Sequence, residues 1–342
     1  MKKKLIYILP TNFQHEGIKI KVEGQTKHFN TIFNTKLIQL NYNKNHFILL
    51  NILKTITFEI NSILHLICYK HFFIRYNPKS FLVNINIVLL SFFKKITIEH
   101  NLIMTNELKA MNRYIELIIH NLTLNILKLS KAQHLCVNTE IKNMLISKGF
   151  NQKYICYHQN GYTQPKQKEV TLNKDLVSNI KELKKNYSKI AIFIGSGRPW
   201  HGLDKIISLF NNKINCGIII IGPYEPINSK QFFYIPYANS STIEKLITYS
   251  DFGISNFNWK LININVGSPL KSRQYLCNGL PILTNYKDSA EDYKILKPYI
   301  FNIQENSNAI SDILNHSFKK EKIKNLAIKE LSWKNVYKSL KL

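Results

Sequence analysis

The stretch Lys189-Ile-Ala-Ile-Phe-Ile-Gly-Ser-Gly-Arg-Pro-Trp-His-Gly-Leu-Asp204 decides the fold. Five apolar residues run without interruption from Ile190 and close on Gly195, and a helical pattern starts after His201-Gly202. A strand that is apolar throughout, rather than at alternate positions, is one covered on both faces, as in a parallel sheet flanked by helices. The device recurs at Asn215–Gly222, where Cys-Gly-Ile-Ile-Ile-Ile-Gly reads as a second such strand. Further strands follow at Phe232–Ile235, Asp251–Ser255 and Pro281–Asn285, with a helix over Ser241–Tyr249. Working back towards the start, strands are expected at Lys4–Leu9, Lys36–Tyr42, Leu64–Tyr69, Lys95–Glu99, His134–Val137 and Ile155–His158. Helical stretches lie between them over Gly17–Phe33, Pro78–Phe93 and Ile115–Leu129, and from an N-cap at Thr139 to about Gly149. Gln164–Tyr187 is polar, Lys-rich and carries Pro165, which marks a domain boundary. Strands alternating with helices on both sides of that boundary predict an α/β protein. It would have two Rossmann-like doubly wound parallel-sheet domains facing a cleft, over residues 1–164 and 165–325, and a terminal helix over 326–342 packing back toward the first domain.

The 342 residues suit two domains better than one core. With 45% hydrophobic and 20% charged residues, 12 Gly and 10 Pro, the chain is neither disordered nor collagen-like. Five scattered cysteines without a C-x-x-C pair argue against a disulfide framework or a structural zinc site, and fit a reducing cytoplasm. The apolar run after Met1-Lys-Lys-Lys4 is too short for a secretion signal and reads as a first buried strand. No segment has the uninterrupted apolar length of a spanning helix, since Lys54 and Glu59 break His46–Tyr69. The outlier is charge: 47 basic against 21 acidic residues, net +26. The first 165 residues carry 21 basic and 7 acidic residues, so the excess is spread over both halves and is no tail. Three readings are open: nucleic-acid binding, attraction to an anionic membrane, or the codon bias that also gives 40 Asn. No zinc finger, RNP motif or basic heptad region supports nucleic acid.

Two segments carry chemistry. In Asn265-Val-Gly-Ser-Pro-Leu-Lys-Ser-Arg-Gln-Tyr-Leu-Cys-Asn-Gly-Leu-Pro281, Ser268 suits an N-cap and Pro269 the first helical position. Lys271 in the first turn would add a cation to the free N–H groups of the helix start, a diphosphate-binding arrangement. The bland alternative is a well-capped core helix with an incidental lysine. In the second, Ile194–Asp204, Gly195 and Gly197 allow close approach by a ligand, and Arg198 and His201 supply donors. A Walker A loop is excluded because the G-K-[ST] ending is missing. Trp200 reads as packing and Asp251 as a structural residue at the start of a strand. Asn160-Gly161 reads as a turn, and His100 as either a site residue or a satisfied histidine at a strand end.

Together these segments resemble the GT-B glycosyltransferases of the large family 4, or group 1, type, over nearly the whole chain. Glu16-Gly-Ile-Lys-Ile-Lys-Val-Glu-Gly-Gln25 is similar to the family's first loop and helix, and Ile98-Glu-His-Asn101 to the strand end that carries an active-site histidine. Val137-Asn-Thr-Glu140 and Gln159-Asn-Gly-Tyr162 resemble its interdomain signatures. Pro199–Asp204 and Ser268–Pro281 resemble its donor domain, and Ser332-Trp333 its terminal helix.

The resemblance implies a retaining, metal-independent transfer of a sugar from a nucleotide-sugar donor, with no cofactor, to a growing surface glycan or polyprenyl-linked acceptor, as in O-antigen or capsule synthesis. It places His100 and Lys271 at the reacting sugar and diphosphate. Donor binding would fall to Gly17, Gly195, Ser196, Arg198, His201 and Gly202, and to Ser268, Leu270, Lys271 and Gln274. It also implies a cytoplasmic protein that could lie against the inner face of the plasma membrane, with the amphipathic Ile115–Leu129 stretch among the contacts. One departure stands out. The family's two glutamates are replaced by Val266 and Gln274, and the amide keeps one acceptor but loses the charge. That departure leaves an alternative: a catalytically weak or inactive GT-B partner subunit of a glycosyltransferase complex.

Overall fold

The computed structural model describes residues 2–11, 16–40, 48–164, 171–211, 214–227 and 229–342. It divides into two compact units. The first comprises Met1–Gln14, Val22–Gln159 and Tyr337–Leu342, and the second His15–Lys21 and Asn160–Val336.

The first unit alternates strand and helix: β1 (Lys4–Leu9), α1 (Glu16–Ile32), β2 (Asn34–Gln39), α2 (Ile48–Cys68), β3 (His71–Arg75), α3 (Phe81–Leu90), β4 (Lys95–His100), α4 (Met104–Ala110), α5 (Tyr114–Leu127), β5 (Gln133–Cys136), α6 (Thr139–Ser147) and β6 (Ile155–Tyr157). Helix α1 starts among residues grouped with the second unit and ends in the first. The six strands form one parallel sheet in the order β2-β1-β3-β4-β5-β6. Leu5, Ile6, Ile8 and Leu9 of β1 are fully buried, as an uninterrupted apolar strand requires.

The second unit runs α7 (Lys174–Asn186), β7 (Lys189–Ile194), α8 (Leu203–Phe210), β8 (Cys216–Ile221), β9 (Phe232–Ile235), α9 (Ser240–Thr248), β10 (Phe252–Ile254), β11 (Val266–Gly267), α10 (Leu270–Cys277), β12 (Ile282–Thr284), β13 (Lys287–Asp288), β14 (Ile300–Asn302), α11 (Ala309–Asn315), α12 (Lys320–Leu331) and α13 (Trp333–Val336). Its main sheet is parallel, in the order β14-β12-β10-β7-β8-β9. Counted from β7, that is the 3-2-1-4-5-6 order of a dinucleotide-binding sheet, whose direction reverses between β7 and β10. Ligands of such sheets sit at that reversal, outside the carboxyl ends of the strands. Two clusters, one on each face, form the core; Ile190, Ile192 and Ile219 belong to one, Ala191, Phe193 and Ile220 to the other.

Four local expectations are corrected. Leu64–Cys68 is the last part of α2, and the strand follows at His71. A short apolar run looks the same in a buried strand and at the end of a helix. Asn138, not Thr139, caps α6: its side chain accepts from Ile141 N–H at 2.8 Å. The polar Gln164–Tyr187 stretch contains helix α7, capped by Asn173, while Pro165 lies outside the described residues. The terminal helix is two, α12 and α13, interrupted at Ser332, whose backbone bridges to Tyr162.

Candidate functional site

The site is built on the carboxyl end of β7. Ile194 N–H donates to Tyr275 Oη at 3.0 Å, which ties α10 to the strand end. Gly253 on the neighbouring β10 makes room for this tyrosine, because a Cβ there would lie 2.2 Å from the Tyr275 ring. Gly195 is also a close-approach position: a Cβ would stand 1.8 Å from Tyr224 Oη and 3.0 Å from His201 Nδ1. The glycine that the sequence suggested for a ligand is filled by the chain's own tyrosine and histidine.

His201 ends a short turn, Pro199–His201, and its Nδ1 accepts from Ser196 N–H at 3.0 Å. An accepting Nδ1 puts the proton of the neutral ring on Nε2, which is then the donor. Gly202 has φ +72°, and a Cβ would meet the backbone of Phe257 and Asn258 at 2.8 Å. No other residue fits that conformation and that space together. Trp200 is buried, in keeping with packing, and the exposed Arg198 guanidinium lies 5.7 Å from its ring.

Helix α10 carries Lys271 in its first turn. The Lys271 ammonium is buried, has no hydrogen-bond partner among the described residues, and lies 4.6 Å from the Phe193 ring centroid. Burial lowers its pKa to about 7. The helix is not capped as expected. Pro269 stands at the cap position, and Ser268 Oγ instead accepts from Asn160 N–H at 2.8 Å. Asn160 also takes Lys21 Nζ on its Oδ1 at 2.6 Å and the Arg273 Nε–H on its carbonyl at 3.3 Å. The Asn160-Gly161 turn is thus bolted to α1 and α10. Arg273 further forms a fully buried ion pair with Asp288 and donates to Ser289 Oγ at 2.7 Å. Ser255, Ser272 and Tyr286 join hydroxyls beneath it, 2.6–3.1 Å apart.

Gln274, one turn beyond Lys271, donates from Nε2 to Glu244 Oε1 at 2.7 Å. Tyr162 Oη donates to the same oxygen. Burial pushes the Glu244 carboxyl up, while hydrogen bonds from Tyr162, Gln274 and Asn278 pull it down. Glu244 went unnoticed in the sequence, where it is one acidic residue in a short helix. Only the helix phase, with Ile243 and Ile247 turned inward, brings it under α10. Gly17, an exposed residue of α1, has only Leu270 Cδ1 nearby, 3.9 Å from a built Cβ.

The second unit therefore brings Gly195, Ser196, His201 and Gly202 together in one turn, with Lys271 against Phe193. His100 lies in the first unit at the end of β4, 2% exposed, its Nε2 3.0 Å from His134 Nδ1. Burial first, then His134 and His120, keeps its pKa well below the ordinary value. Its neighbour Glu99 points the other way, as strand alternation demands. Glu99 accepts from Gln25 at 2.6 Å, from Tyr337 at 3.2 Å and from Asn101 at 2.9 Å. This buried acidic centre was not singled out in the sequence either.

No protein-family model matches this chain, and no curated protein does. Solved structures do match it over nearly its whole length. HepE of Anabaena, crystallised with UDP and glucose, aligns at TM-score 0.57 and 10% identity over 99% of this chain and 98% of that one. Sucrose-phosphate synthase from Thermosynechococcus elongatus gives 0.65 and 8%, over 99% and 97%. A glycosyltransferase from Rickettsia africae gives 0.59 and 12%, over 99% and 96%. At such identity the likeness shows the fold. It is the two-domain, Rossmann-like α/β fold of GT-B glycosyltransferases.

Proposed function

We propose that the chain is a glycosyltransferase that moves a sugar from a nucleotide-sugar donor to a glycan or polyprenyl-linked acceptor. One observation carries the reading: the Lys271 ammonium, buried without a hydrogen-bond partner among the described residues, beside the reversal point of a 3-2-1-4-5-6 sheet. A buried cation left unpaired is costly, and an anion arriving beside it recovers that cost. The HepE structure holding UDP, on the same fold, supports a nucleoside diphosphate as the anion.

In this proposal Lys271 and the first turn of α10 hold the diphosphate. His201, with its proton on Nε2, and Arg198 complete the positive surroundings of the leaving group. Gly195, Ser196 and Gly202 shape the turn, and Ser268 and Leu270 set the start of the helix. Gln274, oriented by Glu244, presents its remaining carbonyl oxygen to the ribose hydroxyls. The leaving phosphate takes the acceptor proton in a front-face displacement, so neither a metal ion nor an enzymic nucleophile is invoked and configuration is retained. Gly17, which is grouped with the second unit and lies beside Leu270, stands with the donor-binding residues, and His100 is the catalytic position of the first unit. A lipid-linked acceptor would bring the protein to the inner face of an anionic membrane.

The test is a thermal-shift panel of UDP, GDP, CDP and their sugar conjugates on the wild type and Lys271→Ala. A ligand that binds only the native state raises its apparent stability. A shift with one nucleotide, absent in Lys271→Ala, is expected. No shift with any of them at millimolar concentration sinks the donor-site assignment and favours a non-catalytic partner subunit, the reading that Val266 and Gln274 motivate.

A further inference from the structure

Helix α2 turns an apolar stripe outward. Its outward stripe is Leu49, Leu53, Ile56, Ile60, Leu64 and Ile67, each 47–69% exposed. The side turned into the protein carries Asn51, Glu59 and Ser62 beside Phe58 and Leu66, all buried. Water selects the opposite arrangement in a surface helix. The inward polar groups have a use: Glu59 Oε2 accepts from Val83 N–H at 2.8 Å in the first turn of α3. Among the described residues the outward stripe has none.

The neighbouring helices continue the pattern. Helix α2 packs on α3, and α3 on α5. Helix α5 turns Ile115, Ile118, Leu122 and Leu129 (just past its end) outward at 54–77% exposure, and buries His120 and Thr123. Helix α3 adds Phe81, Leu82 and Leu89, with Phe92 and Phe93 beyond its end. Three helices in contact thus each turn large apolar side chains outward, and clustered exposed apolar surface of this kind marks an interaction site.

Its rim is basic. Between Ile48 and Lys131 the sequence has ten Lys and Arg against four Glu. Of those four, Glu59 and Glu99 are buried, and Glu116 pairs with Lys79 and Arg113. Lys131 lies over the Phe92 ring at 4.7 Å, and Lys94 donates to the Tyr69 carbonyl at 2.8 Å, just past the end of α2. Two copies meeting face to face would bring these rims together and repel. An anionic lipid surface satisfies rim and face at once. Among the described residues no helix is long and apolar enough to cross a membrane. At 21 residues, α2 is about 31 Å long and suits lying flat in the interface.

We propose that the outward face of α2, α3 and α5 is a docking surface for an anionic phospholipid bilayer. This deepens the membrane-linked reading above but does not depend on the donor site. The test reads lipid binding rather than turnover, so the two can fail separately.

The experiment is co-sedimentation of the full chain with vesicles of phosphatidylcholine alone or mixed with phosphatidylglycerol, at low and high salt. The wild type is compared with an Ile56→Glu/Ile60→Glu double variant, whose altered side chains are exposed. The expected result is sedimentation with the anionic vesicles only, weakened by salt. In the double variant partitioning falls about tenfold or more while the thermal midpoint holds. A wild type that stays in the supernatant with every vesicle, or a double variant that binds as well as the wild type, overturns the proposal. A lipid-free dimer in sedimentation velocity that the same substitutions dissociate also overturns it, and assigns the face to a second copy.

Discussion

The side-chain nitrogen of Gln274 donates to Glu244 Oε1 over 2.7 Å. The residue that stands where the resembling family has a glutamate is therefore bound to a carboxylate supplied by another helix. This makes the simplest reversion harmful. Gln274→Glu sets two carboxyls against each other in a buried site, where one must stay protonated or be repelled.

Gln274→Glu is expected to lower stability by about 1–3 kcal/mol. The loss deepens as pH rises, because the carboxyl with the raised folded pKa keeps its stabilising proton only at low pH. The exchanged pair, Glu244→Gln with Gln274→Glu, restores one amide and one carboxylate and should recover most of the loss. Urea denaturation of the two single variants and the double variant measures this, and additive losses would refute the pairing.

Lys271→Met should do two opposite things. Removing an unpartnered buried cation is expected to stabilise the empty protein by about 1–3 kcal/mol, while abolishing the thermal shift with nucleotide. A destabilised Lys271→Met would mean that the ammonium is better solvated than its burial indicates.

Nucleotide affinity should also fall as pH rises above 7. The Lys271 pKa in the empty site is about 7. A diphosphate binds the protonated form, so above that pH binding must first take up a proton. Calorimetric titrations in buffers of different ionisation enthalpy would report that uptake. None at pH 8 would contradict the assignment.

Acid should unfold the first unit readily. Burial lowers the pKa of His134 to about 3, and burial with Lys148 lowers that of His120 to about 4. Tyr76 Oη lies 2.8 Å from His120 Nδ1, and His100 lies beside His134. The unfolded chain protonates these histidines near pH 6.5 while the folded one keeps them neutral, so the unfolded state binds more protons. Their stabilisation is complete above pH 6.5 and is lost progressively from there down to about pH 3–4. A thermal midpoint that falls across pH 6.5 to 4 in the wild type, and less steeply in His134→Gln, is expected.

Arg273→Met should be among the most damaging single changes in the second unit. It leaves Asp288 fully buried and unpaired and frees the Asn160 carbonyl, at a cost of about 3–5 kcal/mol. Loss of less than 1 kcal/mol by chemical denaturation would show that the pocket rehydrates.

Much of the architecture was written in local pattern. Uninterrupted apolar strands such as Ile190–Ile194 and Cys216–Ile221, each ending at glycine, declare a parallel sheet covered on both faces, because only burial on both sides tolerates them. Lys271 was singled out as a lysine in the first turn of a helix, an anion-binding pattern; that its ammonium is buried against Phe193 came only with packing. Where local pattern was ambiguous the reading slipped, as at Leu64–Cys68, whose few apolar residues fit a strand or a helix end equally well.

The tertiary structure alone decided who meets whom. Glu244 and Gln274 are thirty positions apart, and nothing in either neighbourhood names the other. Gly195 is reserved for Tyr224 and His201, side chains of later loops. In Ile98-Glu-His-Asn101 the sequence drew attention to His100, but side-chain alternation gave Glu99 the buried network with Gln25 and Tyr337. The sequence determined the elements, because periodicity and capping are fixed by near neighbours along the chain. The pairings across elements depend on sheet order and helix phase, which are set only when the whole chain packs.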